Sequence, residues 1–190
     1  GSIPIINGLT DKYHPCQALA DMLTFYEKKQ EFEGRKLTFI GDGNNVCHSL
    51  MIICAKLGVN FSCACPKGYE PDEDVVANSL EFAKASGAQI IVTQDPVAAI
   101  KDADAVYTDV WASMGQESEF EEKSKHFLSY QVNSELMKHA KSDAIFLHCL
   151  PAHRGEEVTA EVIDGPQSVV FDEAENRLHA QKAVMALLME

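Results

Sequence analysis

The stretch that decides the fold is residues 37–65, which read LTFIGDGNNVCHSLMIICAKLGVNFSCAC. Residues 37–40 and 61–65 are short apolar runs, and residues 45–57 between them carry apolar side chains at helical spacing. The turn Gly41-Asp42-Gly43 joins the first run to the helix. This order of strand, helix and strand predicts two parallel strands joined by a helical crossover.

The same alternation continues along the chain. Three more apolar runs predict strands, and two amphipathic stretches predict helices between them. In chain order these are residues 72–86 (helix), 89–93 (strand), 96–103 (helix), 105–108 (strand) and 144–147 (strand). We therefore expect an α/β fold, a doubly wound, mostly parallel and Rossmann-like sheet in a single domain.

The two ends of the chain predict further elements. A helix begins at His14-Pro15, since proline suits a first helical turn. This helix would be an interdomain-type linker in front of the α/β domain. Residues 169–171 predict a last strand, and residues 178–189 a closing helix. The expected division is an N-terminal segment with the linker helix (1–34), the α/β domain (35–175) and a C-terminal helix (176–190).

Composition excludes several classes of protein. A formal charge of −13 argues against a nucleic-acid partner, because such proteins present a clustered basic face. No apolar run approaches the roughly 18 residues that a membrane span requires. Six cysteines are too few for a disulfide scaffold and indicate a reduced, cytoplasmic protein, and Cys63 and Cys65 lack the spacing of a zinc site.

Polar residues follow the predicted strands, where ligands of such folds bind. The Gly41-Asp42-Gly43 turn lacks the third glycine of a dinucleotide fingerprint, so it is a weak sign of an oxidoreductase. Asn44 and Asn45 would either cap the following helix or bind a ligand's amino or carboxylate group. Asp109 would either receive a cationic amine or cap the next segment.

Three other positions have two interpretations each. Cys149 could be a thiolate nucleophile with His148 as base, but neighbours on an extended segment point opposite ways, which favours a polar contact to substrate. His14 and Gln17 share a helix face, either as surface or as part of an anion site. Arg177 would be a salt-bridged surface residue or a forked phosphate donor.

Five motifs occur together and in order. They are His14-Pro15-Cys16-Gln17, Asp42-Gly43-Asn44-Asn45, Asp109-Val110-Trp111-Ala112-Ser113-Met114-Gly115, His148-Cys149-Leu150-Pro151 and Glu173-Ala174-Glu175-Asn176-Arg177. Through them the chain resembles ornithine carbamoyltransferase, of the aspartate/ornithine carbamoyltransferase superfamily, over essentially its whole length. The serine-methionine-glycine and histidine-cysteine-leucine-proline motifs are specific for the ornithine branch.

The resemblance implies transfer of the carbamoyl group of carbamoyl phosphate to L-ornithine, in arginine biosynthesis, without metal or organic cofactor. It implies a catalytic part for Asp109, Cys149 and Arg177, a cis Leu150-Pro151 bond, and a homotrimer for the full-length enzyme. The implied ornithine-binding residues are Asn45, Asp109, Ser113 and Met114. The implied carbamoyl-phosphate-binding residues are His14, Gln17, Cys149, Leu150 and Arg177.

The chain departs from the family at one point. Family members begin with a carbamoyl-phosphate-binding domain that holds a serine-threonine-arginine-threonine loop, and this chain contains no such sequence. We therefore expect an ornithine-binding half that is inactive alone. The alternative is a non-catalytic amino-acid-binding module of the same fold.

Overall fold

The computed structural model describes residues 3–111 and 120–189, which form a parallel sheet flanked by helices. The strands are β1 (Lys36–Ile40), β2 (Asn60–Ala64), β3 (Ile90–Thr93), β4 (Ala105–Thr108) and β5 (Ile145–His148). The helices are α1 (Pro15–Lys29), α2 (Asn45–Leu57), α3 (Glu73–Ser86), α4 (Pro96–Ile100), α5 (Phe120–Phe127), α6 (Ser134–Met137), α7 (Ala160–Ile163) and α8 (Val170–Leu188).

The sheet has the order β3-β2-β1-β4-β5, and every neighbouring pair is parallel. β1 lies at the centre, where Leu37 pairs with Phe61 on one side and with Ala105 on the other. This arrangement confirms the expected doubly wound fold. The direction of winding reverses between β1 and β4, and folds of this kind bind ligands beyond the carboxyl ends of the strands at that reversal.

Both faces of the sheet are covered. Leu37 and Phe39 of β1 pack in one apolar layer with α1 and α2, whereas Ile40 packs in a second layer with α4 and α7. β5 alternates in the same way, since Leu147 joins the first layer and Phe146 the second. Strands that are apolar on both sides are typical of buried parallel sheets, and they hold the strand ends rigidly.

The local sequence explains where α2 begins and ends. The Asn44 side-chain oxygen accepts hydrogen bonds from the backbone N–H groups of Val46 and Cys47 at 3.0 and 3.1 Å, which caps the helix. Gly58 ends it in the left-handed conformation, with φ of 78°. The polar turn after β1 is thereby fixed in position.

The strand expected at 169–171 is wrong. Ser168 makes one bridge to Phe146, and α8 begins at Val170. An apolar run of three residues does not discriminate strand from helix. Here Asp172 and Glu173 follow at once and lie in the first helical turn, where carboxylates are favourable.

Arg177 therefore lies within a helix and does not follow a strand, and the division expected between residues 175 and 176 falls inside α8. α8 packs along α1, so the first and last helices lie side by side. Across the described ranges, no helix is both long and apolar enough to cross a membrane.

Candidate functional site

Asp109 joins the carboxyl ends of three strands. The Asn44 side-chain amide, after β1, donates to Asp109 Oδ2 at 2.7 Å, and the Cys149 thiol, after β5, donates to Oδ1 at 3.1 Å. Asp109 itself follows β4 and is only 7% exposed. The polar residues that follow β1, β4 and β5 thus form one group at the reversal of the sheet.

The turn after β1 can hold only glycine at residue 43. A Cβ atom there would lie 2.3 Å from the backbone nitrogen of Pro71 and 2.5 Å from the carbonyl carbon of Glu70. Beside it, Asp42 forms an ion pair with Lys123 at 3.0 Å, although burial still raises the pKa of Asp42. The close approach of residues 70–71 to Gly43 and the ion pair of Asp42 with Lys123 together fix the turn that presents Asn44 to Asp109.

His148 holds the segment after β5 and does not act on Cys149. Its Nδ1 accepts a hydrogen bond from the backbone N–H of Leu150 at 2.9 Å, so the proton of a neutral ring resides on Nε2, which faces Glu157 at 3.2 Å. The Leu150-Pro151 peptide bond is cis, as predicted, and Leu150 has φ of 56°. These contacts fix the segment of Cys149 and Leu150 at the edge of the sheet where the strands end, and this is the edge where folds of this kind bind ligands.

Cys149 is a thiol at neutral pH. Burial and the neighbouring Asp109 carboxylate raise the pKa of Cys149 well above its usual range. Both nitrogens of His148 are engaged elsewhere, so no base is available from that neighbour. The interpretation of Cys149 as a polar contact fits this geometry, and the interpretation as a thiolate nucleophile does not.

A second polar group joins α1 to α8. The Gln17 side-chain oxygen accepts from Arg177 Nη1 at 2.6 Å, and its amide nitrogen donates to Asp21 Oδ1 at 2.8 Å and to Glu173 Oε1 at 3.4 Å. Glu173 Oε2 in turn accepts from the backbone N–H of His148 at 2.9 Å. This group therefore connects directly to the end of β5.

The two carboxyls of this group are fully buried. Burial raises the pKa of Asp21 to about 7, and burial together with Asp21 raises the pKa of Glu173 well above its usual range. Both carboxyls approach the same Gln17 amide nitrogen, and two buried carboxylates side by side cannot both be charged at little cost. The pair therefore retains a proton at neutral pH.

Arg177 is not the salt-bridged surface residue of the alternative interpretation. Within residues 3–111 and 120–189 it forms no ion pair, and its contacts are to amide oxygens, of Gln17 and, with that amide turned to face it, of Gln181 at 2.8 and 3.0 Å. Burial and the charge of Arg177 lower the pKa of His14, which leaves a neutral imidazole. A cation without a carboxylate partner is suited to an anionic ligand.

Some expected site residues are placed differently. The Asn45 amide donates to the carbonyl of Thr10 at 2.8 Å, and it is the neighbouring Asn44, outside the ornithine set that the resemblance implies, that contacts Asp109. Ser113 and Met114 lie outside the described residues. Sequence reasoning also missed Asp21 and Glu173, although each stands four residues from a candidate, Gln17 or Arg177, on the same helix face.

Two groups of side chains have donor atoms close enough to hold a metal ion among the described residues. They are Asp109 with His148 and Cys149, and His153 with Glu156 and Glu157. In the first, the His148 nitrogens and the Cys149 thiol already have protein partners, and a metal would have to displace them.

Two family models match the chain. Residues 33–188 match the model described as aspartate/ornithine carbamoyltransferase, Asp/Orn binding domain. Residues 1–27 match the model described as aspartate/ornithine carbamoyltransferase, carbamoyl-P binding domain.

Curated proteins and solved structures agree with these matches. The chain is 63% identical over 188 residues to the ornithine carbamoyltransferase of Thermococcus kodakarensis, covering 99% of this chain and 60% of that protein. A structure of ornithine carbamoyltransferase from Pyrococcus furiosus has 60% identity and a TM-score of 0.96, and the match covers 100% of this chain and 60% of that chain. The chain thus spans about 60% of the length of these relatives.

A more distant structure gives the same result. Ornithine transcarbamoylase from Giardia lamblia has 37% identity and a TM-score of 0.92, and the match covers 100% of this chain and 64% of that chain. The fold is therefore kept where nearly two thirds of the side chains differ.

Proposed function

The chain belongs to the aspartate/ornithine carbamoyltransferase family, and from that premise we propose that it supplies the ornithine-binding half of an ornithine carbamoyltransferase. The complete enzyme would form L-citrulline and phosphate from L-ornithine and carbamoyl phosphate, a step of arginine biosynthesis. The observation that carries the proposal is the buried Asp109 carboxylate at the reversal of the sheet, with Asn44 and Cys149 against it.

Asp109 would receive the α-amino group of ornithine. A buried carboxylate with amide and thiol donors, and no cation bonded to it among the described residues, favours a cationic amine, and charge-assisted hydrogen bonds are the strong ones. By motif match, Asn45, Ser113 and Met114 would complete the ornithine site. Cys149 would lie near the attacking side-chain amine as a neutral thiol.

Carbamoyl phosphate would lie between α1, α8 and the end of β5. Arg177 would bind a phosphate oxygen with its forked donors, and Leu150 would contact the carbamoyl group. His14, as a neutral imidazole, can donate to the carbonyl oxygen. Gln17 uses its amide hydrogens on Asp21 and Glu173, so only its oxygen is left to accept from the carbamoyl NH₂ group.

The chemistry needs placement and fixed donors. The neutral amine attacks the carbamoyl carbon, a carbon–nitrogen bond forms, the carbon–oxygen bond to phosphate breaks, and the amine proton passes to the departing phosphate. Negative charge develops on the carbonyl oxygen and on phosphate, where Arg177 and His14 would stabilise it. The raised pKa of Cys149 supports a route without a covalent enzyme intermediate.

Citrulline formation tests the proposal. The chain alone should form little or no citrulline, because it matches the carbamoyl-phosphate-binding model only over residues 1–27. A fusion that adds to this chain the N-terminal part of the Thermococcus kodakarensis relative, the part outside the match, should form citrulline, since the two proteins are 63% identical where they overlap. A fusion that folds and binds ornithine without forming citrulline would favour a non-catalytic module.

The same fusion tests assembly. The homotrimer implied by the family resemblance belongs to this proposal, and sedimentation of the fusion should give the mass of three chains. A monomeric fusion with full turnover would remove the trimer from the proposal and leave the reaction in place.

A further inference from the structure

Asp21 and Glu173 are buried and are not among the residues proposed to bind a ligand. They do contact the Gln17 side chain, which is among those residues, and Glu173 contacts the backbone next to Cys149. Asp21 Oδ1 and Glu173 Oε1 both accept from the Gln17 amide, and Glu173 Oε2 accepts from the backbone of His148, next to Cys149. Glu173 thereby links α1, α8 and the end of β5. The five residues proposed for carbamoyl phosphate lie on these elements or next to their ends, since His14 precedes α1 and Cys149 and Leu150 follow β5.

The orientation of the Gln17 amide follows from this arrangement. Its nitrogen faces two carboxyls and its oxygen faces Arg177, and turning the amide by 180° would place its NH₂ group against the guanidinium donors. The oxygen has a second lone pair beyond the bond to Arg177. It can therefore accept a hydrogen bond from a ligand and cannot donate one.

Asp21 Oδ2 supports the same picture. It is buried and makes no hydrogen bond among the described residues, and the same holds for the hydroxyl of Tyr107, a group that lowers the pKa of both carboxyls. A proton between the two carboxyls would satisfy it, and the Asp21–Glu173 pair would then be held together while its outer oxygens accept from Gln17 and His148.

From this geometry we infer that Asp21 and Glu173 are positioning residues that lock the Gln17 side-chain oxygen towards the ligand, so that the site selects a carbamoyl group by its NH₂ donor. The inference rests on the proposed function and deepens it. The pair touches neither substrate, and it acts through Gln17.

Acetyl phosphate provides the discriminating probe. It carries a methyl group where carbamoyl phosphate carries NH₂, so the ratio of the two dissociation constants reports the contacts of that NH₂ group, and the change of the ratio in variants around Gln17 gives the share of Gln17. The fusion with the N-terminal part of the relative, which supplies the other phosphate contacts, should prefer carbamoyl phosphate by roughly tenfold, the effect of leaving one buried acceptor unpaired. Asp21→Ala and Glu173→Ala should lose that preference and keep the wild-type affinity for ornithine.

Asp21→Asn is the matched rescue. Its amide oxygen can still accept from Gln17, and its NH₂ group can donate to Glu173 where the shared proton would lie, so the preference should be retained. A loss of preference in Asp21→Asn equal to that in Asp21→Ala would overturn the inference. So would an equal loss of affinity for acetyl phosphate, carbamoyl phosphate and ornithine in the alanine variants, which is the mark of general disruption.

A measurement on the fusion with wild-type sequence remains decisive even if the alanine variants do not fold. The NMR signals of the Gln17 amide protons should keep their positions when carbamoyl phosphate is added, because both carboxyls still hold them. A large shift would mean that the amide turns to donate to the ligand, which contradicts the inference. A fusion that binds ornithine and both phosphates with equal affinity for the two phosphates overturns this inference alone, whereas failure to bind ornithine overturns the proposed function.

Discussion

The Cys149 thiol donates its hydrogen bond to a buried carboxylate, and that partner determines its chemistry. The charge of Asp109 and the loss of solvent both favour the protonated form of Cys149. The other five cysteines are buried, whereas Cys149 is partly exposed. Its reactivity can therefore be measured without interference in the folded chain.

Alkylation by iodoacetamide should report the state of Cys149. At pH 7 we expect a rate at least roughly tenfold below that of a free cysteine, since only the thiolate reacts. Asp109→Asn should increase the rate by removing the charge that raises the pKa, and Glu81→Gln, an exposed acid with the same charge change, should not. Mass spectrometry of the labelled chain measures both, and fast labelling of wild type at pH 7 would contradict the account.

Single residues of the site were predictable to different degrees. The meeting of Asp109 and Cys149 follows from the rule that strand ends share one edge, so the sequence sufficed for it. The contact between Gln17 and Arg177 joins residues 160 positions apart, and it depends on the path of α8. The sequence pattern predicted a strand where α8 begins, so this contact could not be predicted from the pattern.

At the level of elements, the turn between β1 and α2 carries the site and tolerates no side chain at residue 43. Gly43→Ala should lower the free energy of unfolding by about 1–3 kcal/mol, because the new Cβ atom meets backbone atoms of residues 70–71 that cannot move away alone. It should also weaken ornithine binding by displacing Asn44. Urea unfolding measures the first effect, with Gly8→Ala as control, since nothing lies within 4 Å of a Cβ atom there.

The packing of α1 against α8 should give stability a dependence on pH. Burial raises the pKa of Asp21 from its ordinary 3.8 to about 7, so between these values the folded chain binds more protons than the unfolded chain. The free energy of unfolding contributed by Asp21 is then highest below pH 4 and is lost as the pH rises through about 7. Asp21→Asn should remove this slope.

Urea unfolding of both proteins at several pH values measures the difference. Comparison with Asp21→Asn cancels the titrating groups away from this pair. Glu173, whose pKa is raised by burial and by Asp21, changes with the substitution, so the difference in slope reports the Asp21–Glu173 pair. Equal slopes for wild type and Asp21→Asn between pH 4 and 7 would show that Asp21 titrates normally in the folded state.

Most elements followed from the sequence for a simple physical reason. Strands buried on both faces read as apolar runs, and glycine or asparagine marks the helix ends, as Asn44 and Gly58 do for α2. The strand predicted at 169–171 was wrong because three apolar residues fit a strand or a helix equally well. The contacts of α8 with α1 favour the helix. Such contacts are absent from any local pattern.

At the scale of the whole molecule, the two polar groups proposed to bind ornithine and carbamoyl phosphate are connected. Asp109 and Cys149 at the strand ends are joined through the His148 backbone to Glu173, Gln17 and Arg177 on the helices. The net charge of −13 adds an acidic field that favours a cationic amino acid over an anion. Under the proposed function we therefore expect the chain to recognise ornithine by itself, and we expect turnover only with the added phosphate contacts of the complete enzyme.

The most direct test of this account is a calorimetric titration of the chain with L-ornithine. We predict saturable binding at one site, weakened in Asp109→Asn by on the order of 1–3 kcal/mol, the value of a hydrogen bond to a charged group, and unchanged in Glu81→Gln. No binding to the folded chain, or equal affinity in wild type and Asp109→Asn, would contradict it.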